Sequence, residues 1–155
     1  MSDPTLSAAR DILGDSLDEL RKALDGCSAE ELNRRPGGEE TNGLAVLAAH
    51  ALGSTRSWLS LAVGAALPQR DRDAEFLVVV ENPAAFLGRV DAWAGECRAL
   101  LETDLPFDPS RIGAAPWRTY DQDEPVSAAW ALLHALEHLR EHVGHAQLTR
   151  QLLGG

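Results

Sequence analysis

Four stretches of this chain carry apolar residues at three- and four-residue steps, and Pro or Gly punctuates the boundaries between them. That period marks amphipathic helices, so the sequence has to solve a helix-packing problem. The first stretch runs from Asp3 to Asp25, with Leu6, Leu13, Leu17, Leu20 and Leu24 in register and Gly26 as its stop. Ser28 and Glu31 read as a capping box opening a short helix, Ala29 to Arg35, which Pro36-Gly37-Gly38 ends. The second long stretch opens at the cap pair Thr41-Asn42, passes Leu44, Leu47, His50, Ala51, Trp58 and Leu61, and closes near Ala66, just before Pro68. Gly43, Gly53 and Gly64 weaken its intrinsic propensity. The third runs from Asn82-Pro83 to Thr103 through Phe86, Val90, Trp93, Cys97, Leu100 and Leu101. The fourth begins near Pro125 and reaches Leu153. The expected fold is all-α, with four long helices in a single domain over residues 1–155.

The connectors are unequal. Leu67 to Glu81 starts polar, at Gln69-Arg70-Asp71-Arg72-Asp73, and ends in Phe76-Leu77-Val78-Val79-Val80, a run with strand propensity but no partner strand in the chain. Asp104 to Glu124 holds Pro106, Pro109 and Pro116 together with Trp117 and Tyr120. Connections of this length in a four-helix protein imply a crossover topology or loops laid over a site.

Charge removes several functions. The 155 residues carry 14 Lys and Arg against 24 Asp and Glu, a formal net charge of −10. Binding to nucleic acid rests on clustered basic residues, and an anionic membrane surface asks for the same, so neither partner is expected. No run approaches the ~18 apolar residues of a membrane span. The start, Met1-Ser2-Asp3-Pro4-Thr5, lacks the basic and apolar regions of a signal peptide. The two cysteines, Cys27 and Cys97, are too few for a disulfide scaffold and form no CxxC. The expected setting is cytoplasmic, with reduced thiols.

The chemistry concentrates in histidine. Four of the five histidines, His134, His138, His142 and His145, lie within twelve residues. At about 100° per residue, steps of four, four and three keep them within roughly 80° of one helix face. Imidazoles one turn apart can hold one metal ion, as in the HExxH helix. A third ligand must come from another helix, and His50 is the only histidine left. The same ladder also fits a solvated polar face or satisfied core histidines. Both His134–His138 and His138–His142 match the H-x-x-E-H string, but overlapping matches express helix periodicity, and the chain left after His142 is too short for such a protease. Arg140 and Gly144 follow Glu137 and Glu141 by three residues, which removes the di-iron Glu-x-x-His pattern. Leu132, Leu136, Leu139 and Val143 form one apolar stripe on this helix. Trp130, Leu148 and Leu152 flank the histidines on the other side. A helix apolar on two sides has two things to pack against, here the bundle core and either a metal cleft or a second subunit, and a homodimer is expected.

The stretches Leu32-Asn33-Arg34-Arg35-Pro36-Gly37, Thr41-Asn42-Gly43-Leu44 leading to His50, and Glu137-His138-Leu139-Arg140-Glu141-His142-Val143-Gly144-His145-Ala146-Gln147-Leu148 resemble the DinB-like (DinB/YfiT) superfamily over essentially the whole chain. The resemblance implies an up-down-down-up four-helix bundle with a long crossover between helices two and three. It implies a metal held by one histidine on the second helix and a His-x3-His pair set by Gly144, which carry over to His50, His138 and His142. His134 and His145 are then extras. Three neutral imidazoles suit Zn²⁺ or Ni²⁺ and leave open positions, as catalytic sites do.

Characterised members of the superfamily include enzymes that use bacillithiol, mycothiol or similar low-molecular-weight thiols. The resemblance therefore implies a metal-dependent S-transferase or isomerase acting on a small electrophile. Arg70, Arg72, Asp73 and Glu75 in the crossover connector, with Trp117, Arg118 and Tyr120, are candidates to line the thiol cleft. A metal-dependent hydrolase, with Glu141 or Glu137 as general base, is the second reading. A non-catalytic, stress-related binding protein is the third. His145 is a further catalytic candidate beside Glu141.

Overall fold

The computed structural model describes residues 3–102, 106–117 and 124–154. Among the described residues six α-helices follow in order: α1 (Pro4–Leu24), α2 (Ala29–Asn33), α3 (Leu44–Val63), α4 (Arg72–Phe76), α5 (Pro83–Leu101) and α6 (Ala128–Leu152). A two-stranded ladder pairs β1 (Ile112–Gly113) antiparallel with β2 (Val126–Ser127) just ahead of α6. The four long helices α1, α3, α5 and α6 form the expected all-α bundle. Each of α1 and α3 packs on both α5 and α6, while α1 and α3 touch each other little. The element between α3 and α5 is the long crossover.

The helix boundaries have local causes. Asp3 accepts from the Thr5 and Leu6 amides and caps α1, with Pro4 at the first turn. Ser28 and Glu31 form the full capping box of α2, which stops at Asn33, two residues before the sequence expectation. Thr41 and Asn42 do not cap α3. Gly43 does, with extended backbone and no side-chain cap. A Cβ on Gly43 would lie 2.9 Å from the Asn33 carbonyl oxygen, so the end of α2 needs the glycine there. Gly64 is likewise not an interior weakness. It ends α3 at φ +76°, the left-handed cap that favours glycine. Asn82 and Ser127 cap α5 and α6 through their side chains.

The central helix is α3. Seventeen of its twenty residues are buried, including Ala48, Ala51, Leu52 and Leu59. A helix buried nearly all round has neighbours on every side. Here α5, α6 and the connector supply them. The apolar stripe of α6, Leu132, Leu136, Leu139 and Val143, is buried in the shared core with Leu13, Leu17 and Leu20 of α1. Both connectors are fastened to this frame. The Arg111 guanidinium donates to the Leu61 and Ala62 carbonyls at the end of α3. Part of the strand-prone run is helical, since Phe76 ends α4. Val80 at the other end finds a strand-like partner in a side chain. Asn33 Nδ2 donates to its carbonyl at 2.7 Å, and its amide donates to Asn33 Oδ1 at 2.8 Å. That pair anchors the crossover to α2.

Asn33→Ala removes both bonds to a buried segment and is expected to cost about 1–3 kcal/mol. Urea unfolding at constant m-value checks it; an unchanged midpoint would show that the anchor is dispensable.

Candidate metal centre

His50 sits on α3 and is itself buried, as are most residues of that helix. His138 and His142, one turn apart on α6, are half-buried on the edge that faces α3. The histidine side of α6 therefore has its neighbour within the same chain. One ligand atom from each of His50, His138 and His142 lies within 4.8 Å of the others. Ring centroids are 5.2 Å from His50 to His138, 4.9 Å from His50 to His142 and 4.4 Å from His138 to His142.

The donor set fits a small divalent cation. The Nε2 atoms of His138 and His142 are 3.2 Å apart. Two nitrogens bonded tetrahedrally to one ion at 2.0–2.1 Å stand about 3.3 Å apart. Burial, reinforced by His142 and His50, lowers the His138 pKa to about 3, and burial with His50 and His145 lowers that of His142 to about 4. Both rings are thus neutral at physiological pH and keep a lone pair to donate. Their Nδ1 atoms are buried without a hydrogen-bond partner. Neutral nitrogen donors brought together at this spacing suit a divalent metal ion.

The third imidazole is held differently. His50 Nδ1 lies 3.0 Å from Glu75 Oε2, and Glu75 is gripped by Arg70 through bonds of 2.7 and 2.9 Å. The Arg70 and Glu75 side chains are only 7% and 11% exposed. Burial pulls the Glu75 carboxyl upward, but the hydrogen bonds from Arg70 and His50 outweigh it and leave its pKa lowered. Phe76 packs its ring 4.8 Å from that of His50, and the Arg72 guanidinium lies over the Phe76 ring at 5.2 Å.

The remaining candidates surround this centre. His134 stacks on Trp130 at 4.6 Å, meets Trp58 edge-on and pairs with Glu137, outside the three-histidine group. The ring of His145, an exposed residue, is 5.5 Å from that of His142. Glu141 is exposed on α6. Arg70, Arg72 and Trp117 border one open cleft of about 670 Å³ with Gln69, Asp71 and Asp73. Trp117 meets Trp58 edge-on at 5.2 Å, and its indole Nε1 is buried without a partner. Arg118 and Tyr120 lie outside the described residues. The contact between Glu75 and His50 escaped the sequence reading, which placed Glu75 among cleft residues. The spacing carries no trace of it, because it depends on how the connector folds back over α3.

A family model described as mycothiol-S-transferase matches residues 8–155, and the chain belongs to that family. Among solved structures, a conserved protein from Enterococcus faecalis superposes with a TM-score of 0.75 at 15% identity, covering 99% of this chain and 100% of that one. YfiT from Bacillus subtilis, described as a probable metal-dependent hydrolase with an unusual four-helix bundle topology, superposes with a TM-score of 0.72 at 18% identity, covering 99% and 90%. These likenesses establish the fold. No curated protein matches the chain.

Two outcomes follow from the geometry. His142→Ala is expected to abolish stoichiometric metal binding, measured by elemental analysis, while His134→Ala leaves it intact; equal losses would overturn this ligand assignment. In chelator-treated protein, His138 and His142 bind protons less readily folded than unfolded. The unfolded chain therefore takes up more protons below its own histidine pKa of about 6.5, and stability falls as pH drops from there. The urea midpoint is expected to decline between pH 6.5 and 5, and a flat profile would contradict the burial of these rings.

Proposed function

We propose, from membership of the mycothiol-S-transferase family and the convergence of three imidazoles, that this protein is a divalent-metal-dependent transferase. It joins a low-molecular-weight thiol of the mycothiol or bacillithiol type to a small electrophilic substrate. The observation that carries the reading is the meeting of His50, His138 and His142 within 4.8 Å on two different helices. His50, His138 and His142 would hold Zn²⁺ or Ni²⁺, and the ion, when bound, would supply the Lewis acidity that favours the thiolate form of a thiol.

The chain's own residues do the rest. The neutral rings of His138 and His142 keep their lone pairs available down to mildly acidic pH. Phe76 shields one side of His50 from water. The cleft bordered by Arg70, Arg72 and Trp117 offers hydrogen-bond donors and an aromatic edge to a sugar-like thiol. His145, beside His142, is the group to shuttle protons at the rim. A cytoplasmic location fits, and no helix among the described residues is long and apolar enough to cross a membrane. A homodimer fits the exposed edge of α6, where Leu133, Leu148 and Leu152 are each more than half exposed.

Hydrolysis is the second reading, favoured by the description of YfiT. Its general base is less well supplied, because Glu137 pairs with His134 and Glu141 stands on the exposed face of α6.

Metal-loaded protein incubated with a model electrophile and, in separate reactions, mycothiol, bacillithiol or glutathione is expected to form the thioether, resolved by mass spectrometry. Conjugation is expected to vanish with chelator and in His50→Ala. Substrate cleavage with no thiol present would favour the hydrolase, and full metal occupancy without turnover or thiol binding would point to a binding protein.

A further inference from the structure

We propose that Glu75, held by Arg70, is a positioning residue that fixes the tautomer and direction of the His50 ring and so makes the crossover connector part of the metal centre. The inference rests on the metal reading above. Three observations carry it. A carboxylate paired with a guanidinium is an acceptor only. Glu75 Oε2 at 3.0 Å is closer to His50 Nδ1 than Arg70 Nη2 at 3.5 Å, so that nitrogen carries the proton. The lone pair of His50 is then on Nε2. Second, the carboxylate cannot easily turn away, since Arg70 holds both of its oxygens. Third, the helix has a gap shaped for it. A Cβ built on Gly53, in the turn after His50, would fall 2.2 Å from Glu75 Oε1 and 2.9 Å from its Cδ. Gly53 is helical, so backbone freedom does not require it. Its missing side chain is the space the carboxylate occupies.

His138 and His142 have no such partner, their Nδ1 atoms being buried and unbonded. One clamped ring and two rings set by packing divide the labour. The connector residues Arg70 and Glu75 come from a segment that α3 and α5 merely flank, so this contact ties loop folding to ligand geometry. Partners that orient a ligating histidine are typically worth 10–100-fold in metal affinity.

The test is a competition titration of Zn²⁺ against a chromophoric chelator, with circular dichroism as the folding control. Glu75→Ala is expected to weaken binding about 10–100-fold. Glu75→Gln, whose amide oxygen can still accept from Nδ1, falls between it and the original protein. Gly53→Ala removes no polar group and is expected to weaken binding in the same direction. Nitrogen NMR of the metal-free protein is expected to show His50 protonated at Nδ1, and a tautomer mixture in Gly53→Ala. That readout decides the matter if Glu75→Ala fails to fold. Original affinity in both Glu75→Ala and Gly53→Ala, with binding lost in His50→Ala, overturns the clamp and leaves the metal reading intact. Original affinity in His50→Ala as well sinks the metal reading itself.

Discussion

Three imidazoles brought out of water to one point are costly unless something takes up their polar nitrogens. The bundle accepts that cost. It buries His50 on a helix that is covered almost all round and turns the His138 and His142 edge of α6 toward it. Desolvation then keeps those two rings neutral, and neutrality is the state that can donate to a cation. The same packing that stabilises the fold thus prepares the donor atoms. A cation shared by the three nitrogens would return the solvation that burial removed.

The crossover connector is where topology becomes chemistry. A long excursion between α3 and α5 could have been a bare link. Instead it is pinned at one end by Asn33 and Val80, and it delivers Glu75, Arg70 and Phe76 to the back of His50. The second connector is tied down by Arg111 at the last carbonyls of α3. Both connectors therefore close on the same central helix, from opposite ends.

Much of this was legible in residue order. Helical periodicity located the four long helices, and the Ser28–Glu31 capping box was readable because a serine three residues ahead of a glutamate has one local use at a helix start. The resemblance of the chain as a whole to the DinB-like superfamily is borne out by the family match over residues 8–155 and by the four-helix fold. The cap of α3 was misread, since Thr41-Asn42 looks better locally than Gly43, and only the close approach of the α2 backbone reverses that preference. Gly64 read as a flaw because its left-handed backbone is invisible in a string of letters. The link from Glu75 to His50 joins residues 25 apart through a fold-back with no periodicity, so spacing could not reveal it.

X-ray absorption on the zinc-loaded protein addresses the central claim most directly. A first shell with three imidazole nitrogens at about 2.0–2.1 Å, filled out by light atoms, is the expected result. A shell containing sulfur from Cys27 or Cys97, or one with fewer than three imidazoles, would contradict it.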